Sequence, residues 1–235
     1  MSKELSIVIP IFNEEKNIIP LTKKIRNILK NYKFEIIFVD DTSLDDSRKI
    51  LKKLKKKYNF FNPIFRSGKR DLSRSCMNGI EKTKFTKILI MDGDLQHDPK
   101  YIPSMYKKLE DNKLDIVVAT RKLFEPNNKG LSEIRRYVSI FLIFCFKIFN
   151  IKTKDPMSGF FLFKKKIYLN NKKYFFAKGF KILADFLINC KQTLKTQDIN
   201  INFNRRYNSK SKMNYKVLFI LINFYLKSLF NKYLV

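Results

Sequence analysis

The chain is short of several residues that would otherwise direct a functional reading. It has 3 cysteines, Cys76, Cys145 and Cys190, an odd number in apolar or helical surroundings. Their spacing suits neither a disulfide framework nor a metal site, which points to a reducing compartment. Its only histidine, His97, follows an acidic motif. It reads equally as a metal-adjacent group or as a cap or surface residue, and it stands outside the catalytic set. No apolar run reaches the roughly 20 residues that cross a bilayer, so no membrane-spanning helix is expected. The early run from Leu5 to Phe12 is short and no cleavage site follows it, so it reads as a first strand and not as a signal peptide. Acidic residues are scarce as well: 21 Asp and Glu stand against 49 Lys and Arg, a formal charge of +28.

That charge favours an anionic partner: nucleic acid, an anionic membrane surface or a phosphate-bearing substrate. Part of it is compositional, because Lys, Asn, Ile and Phe are abundant together, as in the products of AT-rich genomes. The 235 residues are 45% hydrophobic, enough for one domain with a substantial core.

Strand and helix patterns alternate through the first half. Leu5 to Ile11, Glu35 to Val39, Asn62 to Phe65, Lys87 to Met91 and Asp115 to Ala119 read as strands. Between them, Ile18, Leu21, Ile25, Ile28 and Leu29 recur at helical spacing. Asp45 to Tyr58 predicts a helix with Ile50, Leu51 and Leu54 facing inward. Ser73 to Thr83 and Pro99 to Asp111 predict two more, with Pro99 near a first turn. This rhythm predicts a parallel sheet covered on both faces. In the second half, Leu123 to Ser132 reads as a mobile loop and Tyr137 to Phe149 as a dense apolar run. Ser158 to Phe163 and Ile199 to Phe203 read as strands, Gly179 to Gln192 as a helix, and Arg205 to Asn214 as a polar stretch.

The feature with most chemical content is Asp92-Gly93-Asp94, directly after the apolar run that ends at Met91. A buried strand ending in two carboxylates delivers both to the carboxyl edge of a sheet, where open α/β folds bind ligands. Such close carboxylates repel unless a cation lies between them. Other clusters fall at strand ends too: Asn13-Glu14-Glu15, Asp40-Asp41-Thr42-Ser43 and Thr120-Arg121. Each has a local alternative as a helix cap: Asn13 for the first helix, Ser43 or Asp45 for the second, Asp98 for the helix begun by Pro99. Their convergence on one edge favours a site.

Three blocks carry a family resemblance: Ser6-Ile7-Val8-Ile9-Pro10-Ile11-Phe12-Asn13-Glu14-Glu15, Glu35 to Asp41, and Met91-Asp92-Gly93-Asp94-Leu95-Gln96-His97. Together they resemble the family 2 inverting glycosyltransferases of GT-A fold. Asp155-Pro156-Met157-Ser158-Gly159-Phe160, Phe203-Asn204-Arg205-Arg206 and Ser211-Lys212 are similar to dolichol- or polyprenol-phosphate mannosyltransferases. The likeness runs from Leu5 to about Met213. It implies an α/β fold with a mostly parallel, Rossmann-like sheet, helices on both faces and a C-terminal amphipathic helix. It also implies transfer of a hexose from a nucleotide sugar to a polyprenyl or dolichyl phosphate, with mannose from GDP-mannose as first choice. Asp92, Asp94 and Gln96 would hold Mg²⁺ or Mn²⁺. Asp40 and Asp41 would meet the nucleotide, and Pro10, Asn13 and Glu14 would shape its pocket. Asp94, Arg121 and Arg206 form the catalytic set. Arg135, with Ser139 one helical turn on, would bind the acceptor phosphate, and Ser211 and Lys212 would close over the donor. Arg70-Asp71-Leu72-Ser73-Arg74-Ser75, Thr42 and Ser209 stand where family members usually carry glycine, which restricts the backbone near the donor.

The competing enzymatic reading is transfer of glucose or another sugar to bacterial undecaprenyl phosphate or to a glycan. A distant one, resting on charge alone, is a basic nucleic-acid-binding protein. It is disfavoured because the aromatics lie in apolar runs and the acidic strand ends would repel phosphate, so nucleic acid is not an expected partner. The division expected is a catalytic domain over residues 1–213 and an interfacial helix over 214–235. In that tail Asn223, Lys227 and Asn231 form one narrow polar stripe. The pattern fits a helix lying in a membrane interface, with packing on the domain or on a second subunit as the alternative. Peripheral attachment to the cytoplasmic face of a membrane is expected, with a separate anchoring subunit or a homo-oligomer as further possible partners.

Overall fold

The β-branched run that opens the chain forms a central strand whose side chains alternate between two cores. In a computed structural model describing residues 2–121, 144, 147–149, 151–179, 181–204 and 222–230, this strand, β1 (Glu4–Ile11), sends Ile7 and Ile9 into one apolar cluster and Val8 into the other. The period of two is that of a strand covered on both faces.

The helices alternate with strands β2 (Lys33–Asp40), β3 (Ile64–Phe65), β4 (Lys87–Ile90) and β5 (Ile116–Arg121). Helices α1 (Glu15–Ile28), α2 (Ser47–Lys57) and α4 (Ile102–Asp111) supply Ile18, Leu21, Leu51 and Met105 to the first core. Helix α3 (Leu72–Glu81) supplies Cys76, Met77 and Ile80 to the second. It packs so closely that a Cβ on Gly79 would come within 2.3 Å of a Val8 methyl. The helix expected from Pro99 begins as a 3-10 turn, Pro99–Tyr101, which Asp98 caps by accepting the Lys100 N–H at 3.0 Å.

The second half completes the sheet and departs from the expected boundaries. Strand β6 (Phe161–Lys164) leaves Ser158 and Gly159 in a loop, and β7 (Thr196–Ile201) begins earlier than predicted. Helix α5 (Lys165–Asn171) follows β6 and had no sequence counterpart, and α6 (Ile182–Asn189) is shorter than the predicted span. The strand order is β3-β2-β1-β4-β6-β5-β7, with β6 antiparallel to both neighbours. The sheet is therefore mixed, not purely parallel. Its aromatic β6, with Phe161 and Phe163 fully buried on Phe186 of α6, reads the same way in either direction. Residues 222–230 form a final helix, α7. Most of the predicted 123–132 loop, the 137–149 run and the 205–214 stretch lies outside the described residues.

Candidate active site at the carboxyl edge of the sheet

Strands β1, β2, β4, β5 and β7 all point the same way, so their C-termini share one edge. Because β6 runs oppositely, its beginning comes to that edge too, and it brings the loop from Asp155 to Phe160. Antiparallel placement of one strand thus adds a sixth contributor to the site.

At the end of β4, Asp92 is the more open acid, its side chain 39% exposed, whereas Asp94 is buried. Leu95 takes a left-handed backbone (φ 62°) that folds the acidic turn back on itself. Asp94 Oδ1 accepts the Gln96 N–H at 3.2 Å. The Gln96 side-chain amide donates to the Asn204 carbonyl at 2.9 Å, and the Asn204 N–H returns a bond to the Gln96 carbonyl at 3.1 Å. The acidic turn is therefore pinned to the segment after β7. His97 is not a surface residue: its ring is buried between Phe160 and Phe203, at 5.1 and 5.3 Å between centroids. Its Nδ1 accepts the Asp92 N–H at 3.4 Å, which places a neutral ring's proton on Nε2. The Asp92 carboxylate lies flat on Gly159, where a Cβ would meet Oδ2 at 2.6 Å. The glycine is required for that approach.

Arg121, at the end of β5, makes a two-pronged contact with Asp155: Nε to Oδ2 at 2.7 Å and Nη2 to Oδ1 at 2.9 Å. Both groups are buried within the protein. Burial disfavours the Asp155 carboxylate, but the Arg121 charge and hydrogen bonds, with help from Lys181, outweigh it and hold the carboxyl below its usual range. Burial likewise works against the Arg121 cation, and the Asp155 charge more than restores it.

The acids at the end of β2 are also paired. Asp40, fully buried, receives Arg48 Nε at 2.6 Å and sits beneath the Ser43 N–H at 3.3 Å. Asp41 receives Arg66 and, at 2.8 Å, the Asp71 N–H. Burial still leaves the Asp41 carboxyl above its usual range despite those partners. Asn13 does not cap α1. Its Oδ1 accepts the Leu44 N–H and its own N–H donates to Ser43 Oγ, each at 2.8 Å, so it ties the β1 and β2 loops together. Glu14 is buried and accepts Asn17 Nδ2 at 2.6 Å. Pro10 lies past the last β1–β4 ladder pair, Val8 with Ile90, where a missing N–H is tolerated.

The described residues thus bring Pro10, Asn13, Glu14, Asp40, Asp41, Asp92, Asp94, Gln96 and Arg121 to one edge. Arg135, Ser139, Arg206, Ser211 and Lys212 lie outside the described residues. Three participants had not been singled out from the sequence: Arg48, Arg66 and Lys181. Lys181 stands just before α6 and donates to the Met157 carbonyl at 3.3 Å. Burial and the neighbouring Arg121 lower its ammonium to about 8, against the opposing pull of Asp155 and Asp92. Among 49 Lys and Arg, spacing alone does not distinguish these residues; only the fold does.

The sequence matches the glycosyl transferase family 2 model over residues 6–170. It is 30% identical to a dolichol-phosphate mannosyltransferase of Pyrococcus furiosus across 92% of this chain, and it spans 61% of that protein's length. It is also 30% identical to the dolichol-phosphate mannosyltransferase of Saccharomyces cerevisiae, over 93% of this chain and 84% of the yeast protein. Among solved structures, glucosyl-3-phosphoglycerate synthase of Mycobacterium tuberculosis superposes on 97% of this chain and 79% of its own, with a TM-score of 0.70 at 16% identity, a likeness of fold. With the acidic edge and mixed sheet described above, these matches place the chain in glycosyl transferase family 2, as a glycosyltransferase of GT-A fold.

Proposed function

We propose that this glycosyltransferase moves a hexose from a nucleoside diphosphate sugar to a polyprenyl or dolichyl phosphate, with GDP-mannose as the first donor to test. The observation that carries the reading is the separation of charge along one sheet edge. An acidic turn, Asp92 and Asp94, lies at the end of β4, and a cationic wall, Arg121 and Lys181, lies beside it. The names of the archaeal and yeast relatives support the lipid phosphate and the mannosyl group.

The donor set on the acidic turn fits a hard divalent cation. It offers two carboxylates and one amide oxygen, while the His97 Nδ1 is turned to a backbone N–H. Among the described residues no group of three or more His, Cys, Asp or Glu side chains could enclose an ion. Such a cation would share its shell with substrate oxygens. Asp92, Asp94 and Gln96 would hold Mg²⁺ or Mn²⁺, which when bound neutralises the donor diphosphate as a leaving group.

The chain's own residues set the geometry. Pro10, Asn13, Glu14, Asp40 and Asp41 form the wall for the nucleotide, with Arg48 and Arg66 locking the two aspartates. The acceptor is a phosphate monoester with a second pKa near about 6, so it arrives anionic and needs no general base. Its oxygen attacks the anomeric carbon, the bond from that carbon to the diphosphate oxygen breaks, and the configuration inverts. Arg121, its fork held by Asp155, joins Arg135, Arg206 and Ser139 in holding that phosphate, and Ser211 and Lys212 cover the donor.

Peripheral membrane attachment belongs to the same reading. Helix α7, within the proposed 214–235 appendage to a catalytic domain of residues 1–213, packs by one face. Phe224 and Ser228 are buried, Phe224 against Phe176 and Tyr225 against Phe149. The other face exposes Ile222, Leu226 and Phe230 at one-turn intervals, and with Tyr174, Lys178 and Lys227 it borders an open groove of about 670 Å³. Among the described residues no helix is long and apolar enough to cross a membrane. An apolar stripe beside lysines suits an anionic lipid surface.

The deciding assay incubates the full chain with GDP-mannose, UDP-glucose and other nucleotide sugars, a short polyprenyl phosphate, and Mg²⁺ or Mn²⁺. Sugar-loaded lipid with GDP-mannose is the expected product. Loading from a different nucleotide sugar would keep the reaction class and replace the donor; no lipid product with any donor would sink the proposal.

A further inference from the structure

Among the described residues Lys181 is a cation of this site with no ion pair of its own. Arg121 is matched by Asp155, Arg48 by Asp40 and Arg66 by Asp41. The Lys181 ammonium is partly buried, and its one hydrogen bond among the described residues goes to a neutral carbonyl, that of Met157. Asp155 and Asp92 act on it as charges, but neither forms an ion pair with it. Asp155 is held in the Arg121 fork, and Asp185, one turn along α6, accepts the Phe176 and Ala177 N–H groups, each at 2.9 Å. Removing an ammonium from water without an ion-pair partner is costly, and a site that keeps one is prepared for an anion.

The backbone that presents Lys181 is anchored from the donor side. The Gly179 N–H donates to Asp71 Oδ2 at 2.9 Å, and the Ser73 N–H donates to the Gly179 carbonyl at 2.9 Å. Asp71 offers its own N–H to Asp41 and its carbonyl to Arg66. One residue therefore links the proposed nucleotide wall to the turn at Gly179, whose φ of +92° a side chain would strain. On its other side Lys181 reaches the Asp155–Phe160 loop, which carries both the Arg121 partner and the glycine under Asp92.

We propose that Lys181 is a phosphate-binding residue of the transfer site, its ammonium taking a substrate phosphate oxygen on the wall between Arg121 and Asp92. The lowered affinity of its nitrogen for a proton agrees, since an arriving dianion supplies the direct partner that Asp155 and Asp92 do not. Both substrates of the reaction proposed above, on which this assignment rests, carry that chemistry: the donor as a diphosphate, the acceptor as a monoester.

Calorimetric titration of the full chain separates the two sources. One arm titrates GDP or UDP with Mn²⁺, and the other a short-chain polyprenyl phosphate in detergent micelles, into wild type, Lys181→Met and Lys181→Arg. Loss of one charge-assisted contact should weaken binding in one arm by about 10- to 100-fold in Lys181→Met, with Lys181→Arg restoring most of it. Weakening confined to the nucleotide arm assigns the donor diphosphate, and weakening confined to the lipid arm assigns the acceptor monoester. Wild-type binding that both variants reproduce in both arms would overturn the assignment. Wild type that binds neither ligand would overturn the transfer reaction itself, and this inference with it.

Discussion

Arg121 and Asp155 meet fork to carboxylate, at 2.7 and 2.9 Å, in a place that water hardly reaches. The pair joins the end of β5 to the loop that enters β6, so it fixes the cationic wall relative to the acidic turn. Removing one partner strands a buried charge, whereas removing both leaves an apolar gap. Asp155→Leu and Arg121→Met should each cost about 3 to 5 kcal/mol, and the two together less than either. Urea midpoints measure this, and a strictly additive double variant would refute the coupling. The pH dependence follows from the depressed Asp155 carboxyl. Its contribution is complete above the unfolded value near about 3.9 and fades as pH falls through the lower folded value. Wild type and Asp155→Asn should converge in stability only in that acidic window.

Gly159 keeps the Asp92 carboxylate in place by having no side chain. Alanine there would put a Cβ 2.6 Å from Oδ2, and the carboxylate would rotate away without disturbing the sheet. Gly159→Ala should keep a near-wild-type melting temperature and lose about 10- to 100-fold in Mn²⁺-dependent nucleotide affinity. Unchanged affinity would mean that the observed position of Asp92 is unimportant to the donor.

Most of the edge was legible because strand periodicity ends abruptly at polar residues. Ile36 to Val39 and Ile88 to Met91 are apolar throughout, and Asp40 and Asp92 fall where that pattern stops. The direction of β6 was not legible. A fully buried strand shows no alternation, and whether it enters the sheet parallel or antiparallel depends on its partners. Lys181 was hidden for another reason: its importance comes from Asp155 and Asp185 being engaged elsewhere, and charge balance among distant residues has no sequence spacing. The arginines that lock Asp40 and Asp41 were missed on the same ground, which is why those acids read as open ligands when both are paired.

Thr42 holds a left-handed backbone, φ 64°, directly after the paired aspartates. A β-branched residue is strained there, and its hydroxyl bond to the Asp41 carbonyl at 2.6 Å offsets part of the cost. Thr42→Gly removes a steric penalty of about 1 to 2 kcal/mol and adds unfolded-state entropy of a similar but smaller size. The expected result is a stability equal to wild type or higher by up to about 1 kcal/mol. Thermal denaturation checks it, and a clear loss of stability would show that the hydroxyl bond outweighs the strain.

The two faces of α7 should respond differently to substitution. Leu226→Glu or Phe230→Glu places charge on the exposed face and should reduce flotation with anionic liposomes while leaving the melting temperature unchanged. Phe224→Ala opens a cavity against Phe176 and should cost about 3 kcal/mol or more of stability. Flotation undiminished by both glutamates would place the lipid contact elsewhere on the molecule.

Lys181 offers a test in which stability and binding move in opposite directions. Burial and Arg121 lower its ammonium to about 8, opposed by Asp155 and Asp92. The folded, ligand-free protein therefore binds this proton less tightly than the unfolded chain does. At pH 7 the charge is a burden on the fold, and Lys181→Met should raise stability by roughly 1 to 2 kcal/mol, part of the gain being lost with the support Lys181 gives Asp155. Between pH 8 and the unfolded value near about 10.4, the unfolded chain holds the proton that the fold has released, so wild-type stability rises relative to the variant. The gap between the two melting temperatures should narrow across that window. With a nucleoside diphosphate or polyprenyl phosphate bound, the order should reverse at pH 7, because only the lysine gains a counter-charge. A variant less stable than wild type without ligand would mean that Lys181 is a structural cation and not one kept for a substrate.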